Sequence, residues 1–194
     1  MKVLSVFGTR PEAIKMGPLV RALAEAADIE SVVCITGQHR AMLDQVMSLF
    51  AITADHDLDV MVPNQTLNGL CSKLFERLDA LYTQVRPDRV LVHGDTTTAM
   101  TAALAAFHHR IPIGHVEAGL RTGDINRPWP EEMNRRVIDV VGHQLYAPTP
   151  SSRANLAGEH LGGQILVTGN TVIDALQQTC LLYTSPSPRD VEES

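Results

Sequence analysis

Residues 90–98 read VLVHGDTTT, an apolar run followed by glycine, aspartate and three threonines. The run lacks polar alternation, which is typical of a strand that is buried on both faces of a sheet. Glycine then ends the strand and a helix opens, so the stretch predicts a strand-turn-helix unit. Asp95 has two interpretations there, the N-cap of the helix or a functional carboxylate, and residue preferences at caps favour the first.

Apolar runs of the same kind recur along the chain, at residues 3–7, 32–35, 113–116, 145–147 and 165–167. Helical patterns separate them, and the clearest covers residues 67–85, where apolar side chains recur on one helical face. Strands that alternate with helices predict an α/β fold with a doubly wound parallel sheet of the Rossmann-like kind. Ligands of such sheets bind outside the carboxyl ends of the strands, so the polar residues that follow each strand are the candidates for function.

The composition excludes several classes of protein. The chain has 194 residues, 44% of them hydrophobic, which is enough for one globular domain with a substantial core. Its net charge of -6 gives no electrostatic footprint for nucleic acid or an anionic membrane. The chain begins directly with a strand pattern, so we expect no signal peptide, and no apolar run has the length of a membrane span. Three widely spaced cysteines fit reduced side chains in a cytoplasmic protein.

The turn after the first strand places Thr9 and Glu12 at the spacing of a capping box, which predicts that a helix begins there. We expect the amino end of this helix to offer free N–H groups to a phosphate, with Arg10 and Lys15 adding positive charge. The alternative is an ordinary capped helix with two solvated charges. Further along, Pro18 is expected to break the helix, because proline removes a backbone hydrogen bond.

Three carboxylates follow predicted strands: Asp95, Glu117 and Glu131. Glu117 ends its strand, where a carboxylate has little structural reason to be. Glu131 opens a helix after a long loop, and an acidic residue in a first turn ordinarily stabilises the helix, so residue type alone favours a structural role. If the three converge, repulsion and burial would raise at least one pKa, which suits proton abstraction from carbon. Nucleophilic hydrolysis fits less well, because no serine or cysteine sits in an elbow with a paired histidine.

A metal site is the weaker interpretation of the same strand ends. His93 and Asp95 on one strand, and His115 and Glu117 on the next, carry ligand atoms that several metals accept. No recognised ligand spacing accompanies them, so we expect no metal.

Taken together and in order, the motifs resemble the bacterial non-hydrolysing UDP-N-acetylglucosamine (UDP-GlcNAc) 2-epimerases. The resemblance covers residues 1 to about 177, and the combination of motifs is highly specific. It rests on FGTRPEAIK (7–15), QHR (38–40), VHGDTTT (92–98), GHVEAGLRTG (114–123), WPEE (129–132), APT (147–149) and GNTVIDAL (169–176).

This resemblance implies the N-terminal half of a glycosyltransferase-B-like fold, with residues 1–177 as one Rossmann-like domain and residues 178–194 as a disordered tail outside the family pattern. It implies a homodimeric isomerase of cell-surface polysaccharide biosynthesis that needs no cofactor or metal. Such an enzyme holds UDP-GlcNAc between two domains, eliminates UDP to give 2-acetamidoglucal, and adds UDP back to give UDP-N-acetylmannosamine (UDP-ManNAc). With one domain only, the chain is expected to be incomplete and inactive by itself.

The resemblance also implies roles for individual residues. Asp95, Glu117 and Glu131 are the acid/base carboxylates, and the first two also bind substrate. Arg10 and Lys15 contact the substrate near its phosphates. An allosteric UDP-GlcNAc region, found in some members of the family, corresponds to Gln38, His39 and Arg40. Alternatives that stay open are a hydrolysing 2-epimerase that releases ManNAc and UDP, a non-catalytic module that binds a nucleotide sugar or dimerises, and, third, a metal hydrolase.

Overall fold

A computed structural model describes residues 1–37 and 40–183 of the chain. Its strands are β1 (Lys2–Phe7), β2 (Glu30–Ile35), β3 (His56–Asp57), β4 (Arg89–His93), β5 (Ile113–Val116), β6 (Gln144–Ala147) and β7 (Gln164–Val167). Its helices are α1 (Arg10–Glu25), α2 (Arg40–Leu49), α3 (Leu67–Val85), α4 (Thr97–His108), α5 (Glu131–Val141), α6 (Pro150–Gly158) and α7 (Thr171–Tyr183).

The strands form one parallel sheet in the order β3-β2-β1-β4-β5-β6-β7, which confirms the expected doubly wound α/β fold. The chain steps outward from β1 to β3, returns through α3, and then steps the other way from β4 to β7. The strand order therefore reverses between β1 and β4, which pair directly. A reversal of this kind leaves a crevice at the carboxyl ends of the two strands. The sequence pattern does not predict β3, because a two-residue strand of His56 and Asp57 contains no apolar run.

Side chains of β1 alternate between two hydrophobic cores, one on each face of the sheet. Val3 and Phe7 pack with apolar side chains of α1 and α2. Leu4 and Val6 pack on the other face with α3 and α4. Burial on both faces explains why the strands read as continuous apolar runs.

Helix α1 runs through Gly17 and Pro18 without interruption, so the expected break at Pro18 is wrong. Both residues are buried, and the backbone at Gly17 lies against the ring of Phe50. Packing of this face against its neighbours therefore outweighs the backbone hydrogen bond that Pro18 removes.

We expect Gly17→Ala to lower the free energy of unfolding by about 1–3 kcal/mol, the usual cost of overpacking a core. A Cβ atom at this position would lie 2.6 Å from Cδ2 of Phe50, so the ring would have to move. Urea denaturation of the chain measures the change. Gly158→Ala is the matched control. Gly158 lies in a different helix, α6, and a Cβ atom added there would meet nothing within 4 Å. A Gly17→Ala variant as stable as the control would contradict this packing.

The proposed division of the chain at residues 177 and 178 falls inside α7, which continues to Tyr183. That division stays a prediction, and residues 184–194 of the predicted tail lie outside the described residues. Within the described part of the chain, no helix combines the length and apolarity needed to cross a membrane.

Candidate active site

The crevice at the switch point gathers charged side chains from several segments of the chain. Asp95 follows β4, Glu117 follows β5, and Lys15 reaches the crevice from α1. Because parallel strands end at the same edge of the sheet, residues more than 100 positions apart in sequence come into direct contact here.

Glu117 accepts hydrogen bonds from two other segments of the chain. Lys15 Nζ donates to both of its carboxylate oxygens, at 2.6 and 2.7 Å, and Asn170 Nδ2 donates to Oε1 at 3.0 Å. Burial alone would raise the pKa of Glu117, but Lys15, His93 and Asn170 together hold it below its ordinary value. Its backbone has a φ of 67°, in the left-handed region that residues with a Cβ atom rarely adopt. Glu117 is therefore an ionised carboxylate in a tightly defined position.

His93 lies beside Glu117 but does not form a hydrogen bond with it. The ring Nε2 is 3.4 Å from Oε2 of Glu117, and neither ring nitrogen has a hydrogen-bond partner among the described residues. The side chain is almost fully buried, which lowers the pKa of His93 to about 4, and the charge of Glu117 opposes this only in part. At neutral pH the imidazole is therefore uncharged, and the positive charge beside Glu117 comes from Lys15; His93 carries charge only near the pH at which Glu117 itself titrates.

Asp95 is not the N-cap of α4, so the structural interpretation favoured by its residue type is wrong. Thr96 takes that place, and its hydroxyl accepts from the N–H of Ala99. The Asp95 carboxylate instead accepts from Arg135 at 2.6 Å, while Asn134 donates to the Asp95 backbone carbonyl at 2.9 Å. Two residues of α5 thus hold Asp95 at the mouth of the crevice.

The three candidate carboxylates share one electrostatic environment. Burial raises the pKa of Asp95, the Arg135 guanidinium lowers it, and the charges of Glu131 and Glu117 raise it again, so that the net shift is upward. Glu131 is the first residue of α5 and is half-buried. The raised pKa of Asp95 agrees with the expectation from the sequence that at least one of the three carboxylates has a raised pKa. The pKa of Glu117 is lowered, so the pKa values of Asp95 and Glu117 are shifted in opposite directions.

Helix α1 begins with the expected capping box, but its amino end does not offer the expected set of free donors. Glu12 Oε2 accepts from the N–H groups of Gly8 and Thr9, and the Glu12 N–H donates to the Thr9 hydroxyl. Pro11 has no N–H. The other oxygen of Glu12 accepts from Thr96 at 2.7 Å, so this buried carboxylate joins the turn after β1 to the turn after β4.

The remaining candidates divide into three groups. Arg10 is exposed at the start of α1, whereas Lys15 is paired with Glu117. Gln38 and His39 lie outside the described residues, and so does the side chain of Arg40 at the start of α2.

Sequence reasoning missed Asn170 and Arg135 as members of the site. Asn170 follows β7 and accepts from the N–H of Val172, so it fixes the start of α7 while it holds Glu117. Its place after a strand and before a helix is the signal that identifies it. Arg135 lies one helical turn beyond Glu131 on α5, which puts both side chains on one face.

Among the residues that the structure describes, no group of three or more histidine, cysteine, aspartate or glutamate side chains is arranged to hold a metal ion. What the crevice presents is acid–base chemistry, because a carboxylate held ionised stands near one with raised proton affinity. The fold and the site together define an α/β domain with an acid–base centre at the switch point of its sheet.

Comparison with known proteins gives the family. The family model described as UDP-N-acetylglucosamine 2-epimerase matches residues 21–192, and the chain therefore belongs to that family. The UDP-N-acetylglucosamine 2-epimerase of Yersinia pestis is 58% identical over 177 residues, which are 91% of this chain and 47% of that protein. The Escherichia coli K12 protein of the same name is 55% identical over the same shares.

Solved structures agree with this assignment. The UDP-GlcNAc 2-epimerase from Neisseria meningitidis, bound to UDP-GlcNAc, matches with a TM-score of 0.91 and 52% identity, over 95% of this chain and 51% of that chain. The chain thus spans about half the length of the relatives that it matches.

Proposed function

We propose that this chain supplies the carboxylate-bearing part of a non-hydrolysing UDP-GlcNAc 2-epimerase. The reaction interconverts UDP-GlcNAc and UDP-ManNAc. A base removes the proton from C2 of the sugar, the electron pair forms a C1–C2 double bond, and the C1–O bond to UDP breaks. UDP then adds back to C1 of the resulting 2-acetamidoglucal while C2 receives a proton on its opposite face.

The observation that carries this proposal is that two carboxylates with different partners meet at one crevice, Glu117 held by Lys15 and Asp95 held by Arg135. Epimerisation needs one group that accepts a proton from carbon and another that returns one to the other face. Glu117, held ionised by Lys15, and Asp95, with a raised pKa, form such a pair. In our proposal Glu131 is the third acid/base carboxylate, a role that the family resemblance implies, and its charge raises the pKa of Asp95.

The same crevice is where we place the bound substrate. The Neisseria relative binds UDP-GlcNAc, as the description of its structure states. In our proposal Arg10 and Lys15 lie near the diphosphate, and the crevice holds the sugar against Asp95 and Glu117. The proposal extends to a cytoplasmic homodimer in which residues 1–177 form one domain.

A deuterium experiment tests the proposal. In a chimera, the aligned 177 residues of this chain replace their counterpart in the Escherichia coli relative, which is 55% identical. In D2O we expect the chimera to place deuterium at C2 of both sugar nucleotides, because a carboxylate-borne proton exchanges with solvent before it returns. NMR follows the loss of the C2 proton signal. Retention of the original hydrogen would contradict exchange at a solvent-accessible carboxylate and would point to a shielded proton or a hydride route, and release of free ManNAc and UDP would identify a hydrolysing enzyme.

A further inference from the structure

A fully buried histidine stands directly behind the crevice. His115 lies in β5, and its Nδ1 is 2.6 Å from Oδ1 of Asp139 on α5. Its Nε2 is 2.7 Å from the backbone carbonyl of Gly94. Both neighbouring atoms accept hydrogen bonds, and an imidazole donates from both nitrogens only when both carry protons. Each ring nitrogen thus faces an acceptor, and the His115 ring bridges a carboxylate and a backbone carbonyl.

Arg121 extends this bridge into a chain of hydrogen bonds. Its guanidinium donates to Oδ2 of Asp139 at 2.8 Å and to the carboxylate of Glu159 at 2.7 Å. Burial would raise the pKa of Asp139, but His115 and Arg121 hold it below its ordinary value. Asp139 is thus ionised, and it fixes the orientation of the His115 ring.

Stability alone is a poor reason for this arrangement. Buried ion pairs carry a large desolvation cost, and well-packed apolar side chains often replace them without loss of stability. The His115–Asp139 pair instead fixes the turn at Gly94. Gly94 donates its N–H to the Val116 carbonyl at 2.9 Å and accepts at its own carbonyl from His115, so β5 holds this residue on both sides. Gly94 has a φ of 66°, and the next residue is Asp95.

We propose that His115 is a positioning residue, which fixes the turn at Gly94 through its carbonyl and thereby directs the Asp95 carboxylate into the crevice. The catalytic role of Asp95 rests on the proposed function. The positioning of Asp95 does not, because it depends only on contacts within this chain.

His115 has a second effect on Asp95. Burial raises the pKa of Asp95, Arg135 lowers it, Glu131 and Glu117 raise it, and His115 lowers it. Replacing His115 should therefore raise the pKa of Asp95 further, because the carboxylate loses a favourable interaction.

NMR of the 194-residue chain tests the proposal without any assay of activity. We expect nitrogen-15 spectra to show a proton on Nε2 of His115, the nitrogen that faces the Gly94 carbonyl. In His115→Gln, whose amide can still donate to the Gly94 carbonyl, we expect the carbon-13 titration of Asp95 to move to higher pH. His109→Gln is the matched control, because His109 pairs with Asp79 at 2.7 Å at an exposed site on another element. A His115 ring without a proton on Nε2, or an unchanged Asp95 titration, would overturn the proposal.

Kinetics of the chimera add a second, independent readout. His115→Met removes the donor to the Gly94 carbonyl, and we expect it to lower kcat about tenfold to a hundredfold with KM little changed, since a misplacement of about 1 Å at a reacting group has an effect of that size. His115→Gln should recover part of the loss, and His109→Gln should match the unsubstituted chimera. Loss of the folded NMR spectrum in both His115 variants, or equal kcat in all of them, would assign His115 a purely structural role. An inactive chimera with the expected NMR results would count against the proposed function and leave the positioning role in place.

Discussion

Glu117→Gln in the chimera is expected to keep the fold and to lower the rate of UDP-ManNAc formation at least about a hundredfold, as for the loss of an acid/base group. The amide has nearly the shape of the carboxylate, so packing in the crevice should survive. It carries no charge, however, and only one of its two terminal atoms can accept from Lys15, which now donates to both. Initial rates give the effect on catalysis, and circular dichroism reports the fold.

Glu76→Gln provides the matched control for this experiment. Glu76 is exposed on α3, away from the crevice, and undergoes the same chemical change. We expect its turnover to equal that of the unsubstituted chimera. Turnover near that level in Glu117→Gln as well would remove Glu117 from the catalytic residues.

The 194-residue chain by itself is expected to fold but to form no measurable UDP-ManNAc. Its two hydrophobic cores pack against both faces of the sheet, so folding has the contacts that it needs. The loop before α5, by contrast, leaves Trp129 67% exposed, and the Asp95 and Lys15 side chains at the crevice remain partly exposed to water. Water screens the charges there and nothing on the far side fixes the diphosphate. Positioning of reacting groups is worth effective molarities of roughly 10⁵ M or more, so its loss removes several orders of magnitude in rate.

A coupled assay for UDP-ManNAc measures this directly, on the chain alone and after addition of the remaining half of the Escherichia coli relative as a separate polypeptide. We expect activity, if any is regained, only in the mixture, because the second half restores the missing wall of the site. Robust turnover by the chain alone would show that the active site lies elsewhere than in the crevice.

Local signals in the sequence were enough for most of the fold. Uninterrupted apolar runs predicted every strand except β3, and the capping box at Thr9 and Glu12 predicted the start of α1. Pro18 shows where local reasoning fails. The break it should cause depends on backbone hydrogen bonding alone, and the contact between Gly17 and Phe50 is visible only once the chain has folded.

The sequence predicted which carboxylates belong to the candidate site better than it predicted their pKa shifts. Strand ends and the family resemblance pointed to Asp95 and Glu117, and repulsion and burial predicted that at least one carboxylate pKa is raised, but not that the pKa of Glu117 is lowered. The pKa of Glu117 falls because Lys15 and Asn170 converge on it from positions 102 and 53 residues away. Such long-range partners leave no mark in the local pattern of the sequence.

The left-handed backbone at Glu117 sets stability against function at a single position. A residue with a Cβ atom pays about 1–2 kcal/mol for this conformation, and glycine adopts it freely. The backbone conformation alone would therefore favour glycine at position 117, whereas the contacts with Lys15 and Asn170 and the proposed chemistry favour a carboxylate there. A copy of this domain that is released from its chemical role should lose Glu117 early in its evolution, while the apolar strands and the capped α1 persist.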